Sequence, residues 1–423
     1  MSKNLKLGIS IFAFIIVLAV LVLIIYGRST FEYPALETPQ VSETAEPVYT
    51  PEPEVSEEPQ PEYFTISLVG DNTLASSRSN NFVATTGGDM AYPYANTKQF
   101  FADDDMSIAN LECIFSDKSL YSDSLFAFRA PTASVEILKQ AGIEFVTTAN
   151  NHTHDFGDTG FSDTLDTLDK AGIAYGTEGE STVYETDSGL KVGVYCAFRY
   201  ISSEYIASQI EKLKSEGAEY IICALHWGTE GAYRPTSYQE GIARGAIDAG
   251  ADLIYGSHPH VLQPVEEYGD GLILYSLGNW CFGGNSSPRD LDTAIVQVTV
   301  KRDLDGSIST DSYKLIPCSM SSISTKNDFQ PTPYDEGSSE YKRAMSKLDG
   351  SFSGPNLNVD YSFMYETPSP ATASESAAAP DTDDPMPEPV QITESSPAPE
   401  PVPESDPNPD PEPIPVSEEA ITE

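Results

Sequence analysis

The chain is poor in the residues that most often carry chemistry or cross-links. Its 423 residues include five histidines, five cysteines and two tryptophans, and 23 Lys+Arg stand against 65 Asp+Glu for a formal net charge of −42. So few bases exclude a nucleic-acid footprint, which needs a clustered positive surface. The cysteines (Cys113, Cys196, Cys223, Cys281 and Cys318) are odd in number and far apart, so they make neither a disulfide framework nor a zinc knuckle. Cys196 and Cys223 sit in apolar, strand-like runs and read as buried thiols. Long apolar stretches are also scarce, with one exception, residues 8–26 (GISIFAFIIVLAVLVLIIY). As a helix rising ~1.5 Å per residue it spans roughly 28 Å, the thickness of a bilayer core. Lys3 and Lys6 precede it and acidic sequence follows Arg28. That bias predicts a single-pass cell-membrane anchor, with the N-terminus cytoplasmic and the main domain extracytoplasmic. A cleaved signal peptide is the competing reading, against which stand the length of the run and the poor cleavage site at Tyr26-Gly27-Arg28-Ser29.

Composition divides the rest. Residues 29–62 carry nine Glu among many prolines, and residues 367–423 carry fourteen acids and no Lys or Arg. Such tracts bury too little apolar surface to offset chain entropy and read as disordered, self-repelling spacers. The expected organisation is an anchor over residues 1–28, an acidic Pro-rich linker over 29–62, one folded domain over 63–360 and an acidic Pro-rich tail over 361–423. Within the domain, strand-like and helix-like patterns alternate. Residues 64–69, 106–111, 145–148, 192–197, 220–225 and 253–255 read as strands. Helical segments run over 134–140, around Phe161, Leu165 and Leu168, around Ile206, Ile210 and Leu213, and over 239–249. Residues 272–277, 294–300 and 313–317 read as a late run of strands, with Asp305-Gly306 as a hairpin turn. The expectation is an α/β domain with a partly parallel sheet and antiparallel strands toward its end.

All five histidines fall in three short motifs: Asn150-Asn151-His152-Thr153-His154-Asp155, His226-Trp227-Gly228 and Gly256-Ser257-His258-Pro259-His260. Six times an apolar strand pattern ends and chemically capable residues follow at once, at Asp71, Glu112, Asn151, His226, His258 and Asn279. Ligands of open α/β sheets bind beyond the carboxyl ends of the strands. Asp71, Glu112, Asn151, His226, His258 and His260 thus form a candidate ligand set of carboxylate, amide and imidazole groups, suited to Zn, Mn or Fe. On an extended segment the side chains of His258 and His260 would share one face. His152 is the candidate general acid or anion-stabilising group, and Asp155 either orients it or caps the helix that follows. His154 reads as an exposed loop residue, and Trp227 as core. Arg129, Glu230 and Asn279 are candidate substrate-binding residues.

The ordered set GDNTL, NLE, ANNHTHDFG, HWGTE, GSHPHVLQPVE and YSLGNW resembles the CapA family of poly-γ-glutamate capsule synthesis proteins, a branch of the calcineurin-like metallophosphoesterase superfamily. The resemblance covers about residues 63–300. It implies a metallo-dependent phosphatase-like four-layer α/β/β/α sandwich and one or two divalent ions. It also implies a membrane-tethered subunit that works beside other capsule-synthesis membrane subunits on an anionic polymer. By the same resemblance Asp71 is the first aspartate, Glu112 the bridging carboxylate and Asn151 the amide ligand. His226, His258 and His260 become the imidazole ligands and His152 the catalytic histidine. Two positions depart from the pattern. Thr73 stands where the superfamily places a histidine, and Thr153 where it places an acid beside the motif histidine, so Asp155 must substitute. One metal site is therefore short of a ligand. Three functions follow as expectations: a metal-dependent hydrolase or transferase acting on a surface polymer, a non-catalytic polymer-binding subunit with a reduced metal site, or a general cell-surface metallophosphoesterase.

Overall fold

The computed structural model describes residues 59–76, 81–198 and 202–359. The apolar run at 8–26, most of the linker and the acidic tail lie outside the described residues. No helix among the described residues is long and apolar enough to cross a membrane. The strands are β1 (Glu62–Thr73), β2 (Met106–Leu111), β3 (Ile114–Phe115), β4 (Arg129–Ala130), β5 (Phe145–Thr147), β6 (Ala174–Gly176), β7 (Ser181–Glu185) and β8 (Lys191–Phe198). They continue as β9 (Tyr220–His226), β10 (Leu253–Ser257), β11 (Val265–Tyr268), β12 (Gly271–Leu274), β13 (Asn279–Phe282), β14 (Asp292–Arg302), β15 (Ile308–Ser319) and β16 (Thr332–Pro333). All belong to a compact unit that ends at Leu357.

These strands form two larger sheets rather than one. The first has the order β16-β15-β14-β1-β2-β5-β6, with β13 also paired to β1, and the second has the order β11-β12-β10-β9-β8-β7. Strands β8, β9, β10 and β12 run parallel, flanked by antiparallel β7 and β11. Side-chain alternation divides the apolar residues between the faces. Ile66, Leu68, Ile108 and Phe145 meet Val192, Ile222, Leu253 and Leu272 in a core between the sheets. On the outer face of the first sheet, Val69, Ala109 and Val146 pack under Ile137, Leu138 and Leu168 of helices Val135–Ala141 and Gly157–Ala171. On the outer face of the second, Tyr195, Ile221 and Ile254 pack under Ile206, Ile210 and Ile242 of helices Ser203–Ser215 and Ser237–Asp248. The two helices on the first sheet end at Gly142 (φ 84°) and Gly172 (φ 73°), left-handed positions that glycine adopts without strain. All five cysteines are free and buried.

Two sequence expectations need correction. The run 272–277 is not one strand leading to Asn279. Strand β12 stops at Leu274, the chain turns at Gly278 (φ 68°), and Asn279 opens β13, parallel to β1 in the other sheet. The run is apolar throughout because it crosses between layers: Leu272, Leu274 and Leu277 enter the inter-sheet core, and Ile273 and Tyr275 the outer one. The crossing is tight, since a Cβ on Gly70 would lie 1.9 Å from the Gly278 oxygen. The second correction is a further helix, Ser339–Leu348, late in the chain. Its sequence is largely polar, and it buries Ala344 and Leu348 together with a lysine. The Lys347 ammonium lies 2.5 Å from Asp290 and 2.6 Å from Asp292, and its side chain is 2% exposed.

Removing one partner of such a buried pair strands the other charge. Lys347→Met is therefore expected to cost about 3 kcal/mol, read as a lower midpoint in urea unfolding. A stability profile against pH probes a second site. Burial pushes Glu144 up from its ordinary 4.5 to about 7, although it accepts the Ser107 N–H at 2.7 Å. Between those values the folded state binds more protons than the unfolded one, so this group's contribution is full below pH 4.5 and is lost as pH rises to about 7. Glu144→Gln should flatten the profile in that window, and an unchanged slope would contradict the assignment.

Candidate metal centre

Asp71 owes its position to a break in β1. The register of β1 against β2 shifts between Leu68 and Asp71, and against β13 between Asp71 and Thr73. Such an irregularity re-aims side chains at a strand end. Asp71 is fully buried. Its Oδ1 accepts from Asn110 Nδ2 at 2.8 Å, and its Oδ2 lies 3.2 Å from His260 Nδ1. Glu112 follows β2 and is anchored by its own N–H, which donates to the Asn72 oxygen at 2.8 Å. Its carboxylate is fully buried, and neither oxygen has a hydrogen-bond partner. Around Oε1 stand the Nε2 atoms of His152 at 3.8 Å, His226 at 3.8 Å and His260 at 3.7 Å.

These separations are too long for hydrogen bonds. Ligand bonds of about 2.0–2.2 Å would put two ligands of one ion roughly 3–4 Å apart. A second convergence adjoins the first. His226 Nε2 lies 2.8 Å from Asn151 Oδ1 and 3.1 Å from His258 Nδ1. Its Nδ1 faces Ser257 Oγ at 2.9 Å, so a proton held there leaves Nε2 as a lone pair. Burial holds His226 well below the usual histidine range, and burial with the nearby His260 takes His258 down to about 4. His260 behaves oppositely. Burial works to lower it, but Glu112 and Asp71 outweigh that and raise it to about 10. Burial drives the Glu112 carboxyl well upward. A buried carboxylate with no hydrogen-bond partner, faced by three imidazole nitrogens, is a donor set that fits a divalent ion of the Zn, Mn or Fe type.

His152 lies at the side of this cluster. Its Nδ1 is 2.8 Å from Asp155 Oδ2, which also accepts the Phe128 N–H at 2.8 Å. The following helix starts from Phe156 with no side-chain cap bond, so Asp155 orients His152 and caps nothing. The ring of Phe128 meets His152 edge-on, with centroids 4.7 Å apart. Asn279 Oδ1 lies 2.8 Å from His260 Nδ1, which places Asn279 behind the His260 ring. Glu230 is half-buried, and its carboxylate is grouped with His258 and His260, ligand atoms within 4.8 Å of one another.

Other residues fall outside the cluster. Arg129 donates to the Lys118 oxygen and lies over the Phe156 ring at 5.5 Å, so its contacts are with those groups. Trp227 is buried and donates to the Tyr275 oxygen at 3.1 Å. The half-exposed His154 ring packs on Phe161 and lies 3.7 Å from Asp158. Thr73 donates to the main-chain oxygen of Glu112 at 3.2 Å, and the Thr153 hydroxyl bonds within its own loop, to the main-chain oxygens of Thr148 and Asn150.

The His-Pro-His segment departs from expectation. It is not extended: His258 has φ 95° and His260 φ 56°. Both rings reach the site through a strained turn, with centroids 5.8 Å apart. Sequence reasoning also passed over Asn110, whose Nδ2 lies 3.3 Å from His226 Nδ1 as well as on Asp71, and whose Oδ1 accepts from Asn150 at 3.1 Å. Its signal was present: a buried amide closing an apolar strand, two residues before Glu112.

The bacterial capsule synthesis protein PGA_cap family model matches residues 65–182 and 176–284. This chain belongs to that family. Every residue of the cluster, Asp71 to Asn279, lies inside the match. The chain is 31% identical to the capsule biosynthesis protein CapA of Bacillus anthracis, over 56% of this chain and 64% of that protein, so it spans just under two thirds of that relative. It is 27% identical to the PGA biosynthesis protein CapA of Bacillus subtilis, over 63% and 73% of the two chains. Among solved structures it is similar to Haemophilus influenzae NAD nucleotidase, with a TM-score of 0.35 and 13% identity over 70% of this chain and 57% of that one. A purple acid phosphatase from yellow lupin gives a TM-score of 0.30 and 12% identity over 60% and 54%. Overlaps that loose do not identify chemistry.

Glu112→Gln tests the cluster. It removes a buried charge that has no donor, so the metal-free protein should melt no lower than wild type. Added Mn(II) or Zn(II) should raise the wild-type melting temperature by roughly 5 °C or more and leave the variant almost unmoved. Equal shifts in both would exclude Glu112 as a ligand.

Proposed function

We propose that this family member is a membrane-anchored, extracytoplasmic protein of capsule or exopolymer synthesis, of the poly-γ-glutamate type. In this reading its metal centre carries out a hydrolase- or transferase-type step on the polymer or its precursor. The observation that carries the reading is the orphaned Glu112 carboxylate, faced by three imidazoles inside the family match. Asp71, Glu112, Asn151, His226, His258 and His260 would hold the ion. Such an ion supplies Lewis acidity and lowers the pKa of water to about 7. The order of these residues along the chain, with helices outside two face-to-face sheets, supports a metallo-dependent phosphatase-like architecture.

The protein's own groups divide the remaining work. Asp155 orients His152 through Nδ1, which turns Nε2 toward the cluster; in its imidazolium form the ring can pass the Nε2 proton to a leaving group and keep the Nδ1 proton on Asp155. Asn279 and Asp71 fix the His260 ring through its Nδ1. Residues 8–26 supply the anchor, through which the domain would work beside other capsule-synthesis membrane subunits. The shortage of bases argues against nucleic acid as a partner.

One observation favours a second reading. Thr73 offers no imidazole, so a polymer-binding subunit with a reduced, non-catalytic metal site is the alternative. Expression of the full chain in Bacillus subtilis lacking its own CapA separates the two. If the site is catalytic, wild type restores surface polymer, and His152→Gln loses it while keeping its metal. Turnover of a phosphoester or γ-glutamyl substrate by the purified variant should then fall by about 10²-fold or more. Full polymer yield from His152→Gln would favour the binding subunit. In fractionated cells the full chain should follow the membrane and a chain starting at residue 29 should not. Recovery of both in the same fraction would contradict the anchor.

A further inference from the structure

We infer that Lys347 and Tyr233 are positioning residues: through them helix Ser339–Leu348 braces the loop at 228–234 against the His-Pro-His turn and so sets where His258 and His260 point. This rests on the metal-centre reading above and deepens it, because it names residues outside the ligand set on which the site's geometry depends.

The turn needs holding. His258 has φ 95° and His260 φ 56°, a backbone region that residues other than glycine seldom adopt. Such a conformation persists where its surroundings over-determine it. The loop at 228–234 reaches the turn in two places. The Gly231 N–H donates to the oxygen of Pro259, the residue between the two histidines, at 2.8 Å. Gln263, three residues after His260 and fully buried, donates through Nε2 to the main-chain oxygens of Ala232 at 2.8 Å and Arg234 at 3.2 Å. Its Oε1 accepts from Gln239 Nε2 at 3.1 Å, which ties in helix Ser237–Asp248.

The same loop is gripped from the C-terminal side. The Tyr233 hydroxyl donates to Asp290 Oδ2 at 2.7 Å, and the Lys347 ammonium lies on that same oxygen at 2.5 Å. Lys347 also lies 4.8 Å from the centre of the Tyr233 ring and 2.6 Å from Asp292 Oδ2. Arg343 holds both oxygens of Asp292, at 2.7 and 2.8 Å. Past the helix the chain returns to the loop. The Phe352 oxygen accepts from Arg234 at 2.9 Å, and Asn356 Oδ1 accepts the Tyr233 N–H at 3.1 Å. The Leu357 N–H donates to the Gly231 oxygen at 2.9 Å. Gly231 therefore joins the two sides, with its N–H on the histidine turn and its oxygen on the C-terminal segment. Residues 339–357 lie beyond the family match, which ends at residue 284. The matched part of the chain supplies the ligands, and the part beyond it steadies two of them.

The test uses the full chain, extracted in detergent, as wild type, Lys347→Met and Asn356→Ala. Amide hydrogen exchange of the metal-free protein is followed over 228–234 and 256–262, with 220–225 of β9 as the reference. Mn(II) affinity is then read from the free-ion signal in electron paramagnetic resonance. Both variants should exchange faster over 228–234 and 256–262, by about threefold or more in Asn356→Ala, with 220–225 unchanged in that variant. Mn(II) affinity should fall by about tenfold in Lys347→Met. Lys347→Met strands two carboxylates and can unfold the domain. Asn356 is exposed, so Asn356→Ala keeps the fold and decides the matter in that case. Unchanged exchange over 256–262 in Asn356→Ala would overturn the brace. So would an equal rise over 220–225, which marks a loss of stability alone, or faster exchange with wild-type Mn(II) affinity in both variants. If wild type binds no Mn(II), the metal-centre reading fails by itself, and exchange over 256–262 still upholds or overturns the brace.

Discussion

The site is organised by one unmet electrostatic demand. Glu112 is fully buried, no donor reaches either of its oxygens, and three imidazole nitrogens stand just beyond hydrogen-bonding distance. A lone carboxylate in that position is costly unless a cation meets it. The surroundings are arranged to meet it. Asn279 and Asp71 face the His260 ring at Nδ1 and Ser257 faces His226 at Nδ1, so both rings turn Nε2 toward Glu112.

Fold and site are one construction. Two sheets pack face to face, and the carboxyl ends of β1, β2, β5, β9 and β10 deliver Asp71, Glu112, Asn151, His226 and His258 to one place. Close backbone crossings make this possible. Gly70 lets the turn at Gly278 approach β1, and Gly256 lets Tyr275 approach β10, where a Cβ would lie 2.1 Å from the Tyr275 oxygen. Either crossing would be forced apart by a side chain, and Asp71 or His258 would move with it.

Much of this was legible because strand ends are marked locally. An apolar run that stops abruptly at Asp, Asn or His can be read without knowing what lies across the sheet. What escaped depends on distant partners. Asp155 fits a cap or an orienter equally well by sequence, and the choice is made by Phe128, 27 residues earlier, whose N–H the same carboxylate accepts. The apolar run before Asn279 looks like one strand because both layers it crosses are apolar. The helix at 339–348 is largely polar and buries a lysine, whose burial makes sense only beside Asp290 and Asp292. The His-Pro-His turn was expected to be extended, and positive φ angles at two histidines are not marked in its own residues.

X-ray absorption at the edge of the bound metal, on the protein loaded with Zn(II), tests the central claim most directly. The account predicts a shell of mixed nitrogen and oxygen ligands at about 2.0–2.2 Å, with the outer-shell scattering of two or more imidazoles. A shell of oxygens alone, without imidazole scattering, would mean that the ion sits elsewhere and that the histidines do not form a metal centre.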